Sequence, residues 1–337
     1  MRLLFGLLII STFVFSCNSG EKTPDVSNIK IQLTTQRFEK DLFSLDSNQF
    51  VTGLQQLENQ YPSFAPNFFY TILGADDKWN NDSTAAYTKG FVQSYKKVYD
   101  SSQVLFSDFS LYEKEIRKAL QFVKYYFPAY RVPQKIITYI GPIDGYGDIV
   151  SDDALIVGLH LHLGKNFSLY KSDLVQQTYP EYISRNFEPG YITVNTIKNI
   201  LLDLFPEKME DKSLIQQMVE KGKRLYLLQK FLPHEEEYKL IGYTDQQLKE
   251  SYKNERQVWD LFVQNNLLQS IDNNVIKNYI GESPKTQELG DASPGNIGSF
   301  AGWQIVKKYM QKNEGMSLQK LMATDNDIIF QEAKYKP

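Results

Sequence analysis

A lone cysteine does most to limit what this chain can fold into. Cys17 is the single cysteine among 337 residues, so the folded part contains no intramolecular disulfide and must stand on its hydrophobic core. A thiol nucleophile and a cysteine-ligated metal are excluded with it once Cys17 is modified. The surroundings of Cys17 say what that modification is. Met1-Arg2 opens onto an apolar run from Leu3 to Ser16, broken by Gly6, Ser11 and Thr12. The run is too short to span a bilayer as a helix but fits the apolar core of a secretory signal. It ends Val14-Phe15-Ser16-Cys17, the lipobox pattern of an apolar residue, a small residue before the cut, and cysteine. Residues 1–16 are therefore expected to be a lipoprotein signal peptide, with Cys17 becoming the lipidated N-terminus. The polar stretch 17–28 reads as a tether. No later stretch is apolar enough to span a membrane, so the expected anchor is lipid, at the cell envelope and facing the periplasm.

Residues 29–337 must then bury a core unaided. No linker-like stretch divides them, and a single domain is expected. The 37 basic residues nearly balance the 40 acidic ones, for a net charge of −3. That balance offers nothing to nucleic acid or to anionic headgroups beyond the anchor. The 21 Phe and 22 Tyr suit a large core and a sticky surface equally.

Periodicity supplies the elements. Ile29 to Thr35 alternates apolar and polar residues, as an edge strand would. Helical spacing runs over 48–61, 83–99 and 111–127, the last stopped by Pro128. Lys135 to Ile140 and Asp153 to Leu163 read as strands, joined by a Gly- and Asp-rich loop over 141–152. Helices are expected afterwards over 172–185, 191–205, 213–232, 245–268 and 294–312. Ser213 with Gln216 forms a capping box, and Ser293 is placed to cap a helix with Pro294 in its first position. The sum is an α+β fold, mostly helical with a small central β-sheet.

Few residues carry obvious chemistry. The three histidines are His160, His162 and His234. His160 and His162, two apart on a strand, would share a face and are the weak metal candidates, although packing on a half-exposed strand face explains them too. The loop carboxylates Asp144, Asp148, Asp152 and Asp153 do not follow the EF-hand spacing and suit a tight turn better than a calcium site. Gly295, Gly298 and Gly302 make a smooth helix face that admits a close neighbour. Glu235, Glu236 and Glu237 read as a solvated loop. No nucleophile elbow and no P-loop occurs, and no cofactor is expected.

Several segments, in order, resemble the gliding motility lipoproteins of the GldB type. They are the lipobox, Arg37-Phe-Glu-Lys-Asp41, Tyr126-Phe-Pro128, Leu161-x-Leu-Gly164 and Tyr182-Ile-x-x-Asn-Phe-Glu-Pro189. Gly222-Lys-x-x-Tyr-Leu227 with Leu232-Pro233, Pro294-Gly-Asn-Ile-Gly298 with Gly302-Trp303, and Phe330-x-Glu-x-Lys-Tyr335 follow. The resemblance implies a role in the envelope, in gliding motility and the type IX secretion machinery tied to it, with envelope proteins as partners. That family in turn looks like zinc peptidases of zincin-like fold that keep His-Glu-x-x-His. In this chain the motif slot falls at Lys198-Asn199-Ile-Leu-Leu202, and Glu220 takes the place of the third ligand. Neither imidazole nor the general base is present, so the resemblance implies a degenerate metallopeptidase architecture without zinc chemistry.

The expectation is thus a non-catalytic, lipid-anchored envelope protein that binds or assembles other proteins. It anticipates that alanine at His160 and His162 is tolerated, while loss of Cys17 is not. The alternative is a cryptic metal-dependent hydrolase built on His160, His162 and an acid.

Overall fold

In the computed structural model the described residues are 23–337. The signal peptide, Cys17 and the first part of the tether lie outside them. The end of the tether does not: Val26 is fully buried and its carbonyl accepts the Ile29 N–H, so the chain joins the body three residues before the expected start at 29.

A four-stranded sheet lies at the centre, in the order β1 (Thr34–Arg37), β2 (Lys135–Tyr139), β4 (Ala154–Gly158), β3 (Ile149–Val150). β1, β2 and β4 are parallel, with Thr34 opposite Lys135 and Lys135 opposite Ala154, while β3 turns back against β4. The first strand thus forms later than its alternating pattern suggested, because Thr34 to Arg37 is the stretch that finds a partner in β2.

Both faces of this sheet are buried, which follows from two-residue periodicity with apolar residues at nearly every position. Ile137, Tyr139, Ala154 and Ile156 face the helices that begin the chain, α1 (Phe38–Phe43) and α2 (Phe50–Gln60). On that side Phe38 is met edge-on by Tyr61, Phe64 and Phe68 at 5.1, 4.9 and 4.8 Å, contacts worth about 0.5–1.5 kcal/mol each beyond the area they bury. Ile136, Ile140, Leu155 and Val157 face the larger core. α3 (Asn81–Ser94) packs mainly on the first side, through Ala85, and the larger core is made with α4 (Lys96–Phe106), α5 (Ser110–Tyr126), α6 (Ile192–Leu204) and α7 (Leu214–Phe231). It continues through α8 (Asp245–Lys253), α9 (Glu255–Gln264), α10 (Asn273–Ile280), α11 (Ile297–Lys312) and α12 (Asn326–Ala333). The α+β class expected from the sequence holds.

Three expected helices are each divided in two. The 83–99 helix breaks at Tyr95, whose hydroxyl accepts the Ile143 N–H at 3.0 Å. Pro180 separates the short helices Asp173–Thr178 and Glu181–Ser184. The 245–268 helix breaks at Asn254, whose side-chain amide turns back to the Glu250 carbonyl at 2.9 Å.

α7 and α11 form the closest helix pair, and glycine is the reason. A Cβ on Gly302 would stand 1.7 Å from the Met218 carbonyl oxygen, and one on Gly222 would stand 2.2 Å from the Gly302 oxygen. The two backbones touch there through Gly302 alone of the three expected glycines: Gly298 chiefly faces Ile280 and Tyr279, and Gly295 precedes the helix and lies against Ser283.

A charged cavity as the candidate functional site

The two histidines expected to share a strand face do not. β4 ends at Gly158, and Leu159–Leu161 form a tight helical turn that carries His160 and His162 into the interior. Each is essentially inaccessible, at 0% and 1% exposure. The Gly/Asp loop has folded over the strand end, so closely that a Cβ on Gly158 would meet the Gly147 carbonyl at 3.0 Å.

His160 spends both ring nitrogens on this loop. Nδ1 accepts the Gly141 N–H at 3.1 Å and Nε2 donates to the Tyr146 carbonyl at 3.0 Å. Burial pushes its pKa from 6.5 down to about 4, against the opposing pull of that carbonyl and of Asp148. His162 instead pairs with Asp148, Nε2 to Oδ2 at 2.9 Å, with both side chains buried. Asp148 also accepts the Gly158 N–H at 3.0 Å, and Asn199 donates to the Asp148 carbonyl at 2.9 Å. Tyr139 donates to the carbonyls of Tyr146 and Gly147, and Tyr179 to that of Gly145. Every one of these bonds satisfies a buried polar group of the loop. The constellation is a fastening for the loop, closed to any substrate.

The loop carboxylates diverge rather than converge. Asp148 turns in to His162, while Asp153 turns out to Lys135 at 3.2 Å and to Ser63. Among the described residues no group of three or more His, Cys, Asp or Glu is placed to hold a metal ion. His234 packs edgewise on Phe122 at 6.4 Å, remote from the other two in its contacts. Nor are Glu235–Glu237 a purely solvated run. Glu237 accepts from Lys307 at 2.7 Å, from the Tyr252 hydroxyl at 2.6 Å and from Gln229 at 2.8 Å, and these groups hold its carboxyl below the usual range despite burial.

A site open to ligand lies elsewhere, between α6, α7 and the start of α11. It is a cavity of about 180 Å³. α6 contributes Lys198 and Leu202, and α7 contributes Lys221 and Arg224; Glu207 and Glu282 also face it, with Asn296 and Ser299 from the first turn of α11. An aliphatic wall of Leu201, Leu225, Leu228, Leu240 and Ile241 completes it. Glu207 binds Lys221 at 2.9 Å and stands 3.7 Å from Arg224 Nε. Arg224 is 7% exposed and donates through Nη2 to Glu220 at 3.2 Å, but its Nε and Nη1 have no hydrogen-bond partner. Lys198 is the one basic residue of α6, and desolvation lowers its pKa, with Glu282 opposing and Lys221 adding to the shift.

The start of α11 differs from expectation. Ser293 does not cap it. Its hydroxyl donates to the Thr286 and Gly290 carbonyls, and the helix begins at Ile297 after Asn296 in the left-handed region at φ 55°. No side chain caps this end, since Ser299 donates to Asn296 Oδ1 at 2.6 Å instead of the reverse. At α7 the expected Gln216 does close back on the Ser213 N–H at 3.0 Å.

Of the four degenerate zinc positions, Lys198 and Leu202 therefore line one cavity, with Leu202 44% exposed at its edge. Asn199 holds the Asp148 loop. Glu220 does not line the cavity and is occupied by Arg224, by Asn326 at 3.4 Å and by Lys212 at 3.9 Å. One signal for the cavity stands in the sequence: Lys198 is the single basic residue of Ile192–Leu204.

The profile of the family described as gliding motility protein GldB matches residues 19–337. No curated protein and no solved structure matches the chain.

Proposed function

The chain belongs to the family of the gliding motility protein GldB, and from that premise we propose that it is a non-catalytic, lipid-anchored envelope protein that binds and assembles other components of the gliding motility or type IX secretion apparatus. The observation that carries the proposal is the extent of the match, which runs from just after Cys17 to the last residue. The lipobox supports the anchor. No helix of the described residues is long and apolar enough to cross a membrane.

The geometry at the histidines favours this reading over the hydrolase. His160 has no free ring nitrogen for a metal, and the His162–Asp148 pair is walled in by the loop that it fastens. We retain a zincin-like descent as part of the proposal. Lys198 and Leu202, two of the positions where such an enzyme would carry its motif, border a cavity, as the remnant of a catalytic cleft would.

The test is crosslinked affinity purification of the tagged protein from its own envelope, wild type beside Cys17→Ser. Recovery of motility or secretion components by the wild type, lost or much reduced with Cys17→Ser, is the expected result. Recovery of the protein alone, together with a stoichiometric transition metal in the pure protein, would instead favour the hydrolase.

A further inference from the structure

α5 is fastened to the incoming chain on one flank and borders a groove on the next. Arg117 donates to the Leu33 carbonyl and Gln121 to that of Ile29, each at 2.7 Å. The chain turns back at Val26–Ile29, which brings Asp25 into the field of Lys118. The Asp25 carboxyl is held below its usual range chiefly by Ser27, with a lesser pull from that lysine. Lys118 also lines a groove of about 400 Å³ between α5, the start of α6 and the end of α7. The segment that leads to Cys17 therefore leaves the body beside this groove, eight residues from the anchor.

The floor of the groove is apolar, made of Ala119, Phe122, Phe231 and Pro233, and its charges are Lys114 and Lys118 against Glu115 and Glu235. Lys239 answers Glu235 at 2.7 Å and Asp25 lies near Lys118, so no surplus of either sign remains. What such a lining fits is a group that carries both signs. Lys114 and Lys118 are exposed, and neither donates a hydrogen bond to a described residue; Lys118 lies over the Phe122 ring at 5.4 Å. Glu115 accepts the Thr193 hydroxyl at 3.1 Å and keeps acceptor positions to spare.

The same corner holds apolar side chains out in solvent. Leu111, also lining the groove, is 59% exposed, and Val104 and Leu105, at the end of α4 and one short loop away, are 82% and 43% exposed. Leucine and valine interleaved with lysines suit the headgroup layer of a bilayer, where lysine stems lie along apolar surface and their ammonium groups reach phosphate. We propose that this flank of α5 rests on the bilayer that holds Cys17, and that the groove receives a zwitterionic phospholipid headgroup. Its phosphate sits between Lys114 and Lys118 and its ammonium against Glu115, while Leu111 and Val104 reach the acyl boundary. The proposal rests on the acylation of Cys17 put forward above, and it leaves the other faces to protein partners.

The experiment uses the full lipidated chain in vesicles of phosphatidylethanolamine and phosphatidylcholine, with a nitroxide on part of the choline headgroups. Cys17 is the single native cysteine and is blocked by its acyl chains, so a fluorophore attaches at Leu111→Cys alone or, as control, at Lys253→Cys on α8, where the side chain is 74% exposed. Quenching is expected to be strong at 111 and weak at 253. Lys114→Glu with Lys118→Glu is expected to lower quenching at 111 about tenfold, as loss of a charge-assisted hydrogen bond would, while both exposed positions leave the unfolding midpoint unchanged. Equal quenching at the two sites, or none of that loss in the double variant, would overturn the proposal. A rise when phosphatidylglycerol replaces phosphatidylethanolamine, abolished by salt, would overturn the headgroup assignment in favour of plain attraction to anionic lipid. No quenching in vesicles, with the label at 111 shielded from iodide in native envelope, would overturn it in favour of a protein in the groove. Intact mass of the same sample reads the acylation of Cys17 separately, so a missing anchor and a missing docking face are told apart.

Discussion

At the scale of single residues, His160 is the most informative side chain. With its pKa held at about 4 in the fold and near 6.5 when unfolded, the unfolded chain takes up the proton first as the pH falls. Its contribution is therefore fully present above about pH 6.5 and is lost as the pH falls towards 4, by about 3 kcal/mol in all. Urea midpoints measured from pH 7.5 to pH 4 should show this loss, and His160→Gln should be less stable at neutral pH but flatter across that window. An equally steep profile in the variant would assign the acid sensitivity to other groups. Alanine at His160 or His162 is no longer expected to be silent. Each removes partners from buried backbone or carboxylate groups, which costs more than the imidazole itself contributes. The sequence placed the two histidines near each other correctly, but it could not reveal that β4 stops at Gly158. Strand length there is decided by a loop closing over it from outside the local pattern.

At the scale of elements, the pairing of α7 with α11 depends on Gly222 and Gly302. Gly302→Ala would push a methyl into the Met218 carbonyl, and the helices would have to separate at a cost of about 3 kcal/mol or more. Gly90 in α3 is the internal control. Nothing lies within 4 Å of a Cβ there, so Gly90→Ala should stabilise by about 0.4–1 kcal/mol through the unfolded chain. Chemical denaturation of both variants checks the contrast, and equal effects would remove the close-approach argument. Close approach at Gly298 and Gly302 was legible in the sequence, but Gly295 falls before the helix and the two others face mainly different neighbours. The partner of Gly302 was not legible, because Gly222 stands alone on α7 and nothing local marks it as the other half of the contact. The breaks at Tyr95 and Asn254 were hidden for a similar reason: helical periodicity continues across them, and the groups that end the helices are set by contacts to other elements or by a single turned-back amide.

At the scale of the whole molecule, the sheet joins two cores. Strand positions alternate between them, with Ile137 and Ile156 on the side of α1 and α2 and Ile136 and Leu155 on the other. Neither core can melt without baring one face of the same strands. Thermal unfolding followed by far-UV circular dichroism and by tryptophan emission should therefore coincide, since Trp79 and Trp303 report from different parts of the molecule. Two separated transitions would mean that the layers are independent. The class of fold was readable from the strand–loop–strand centre flanked by amphipathic helices. The strand order was not, because β1 reaches β2 only after α1 to α5 have intervened and no local signal records a pairing at that separation. The candidate cavity was less legible still, being assembled from four helices and two loop carboxylates far apart in sequence.

Val26, buried where a free tether was expected, fixes a distance. Nine chain steps separate it from Cys17, and a fully extended chain of that length reaches about 30 Å at 3.3–3.6 Å per residue. With Cys17 acylated as proposed, the folded body is a short-leashed object, unable to rise farther from the headgroups than roughly its own width. Its search for partners is then a lateral one, confined to a thin shell above the bilayer. Whatever it assembles must present itself at that height.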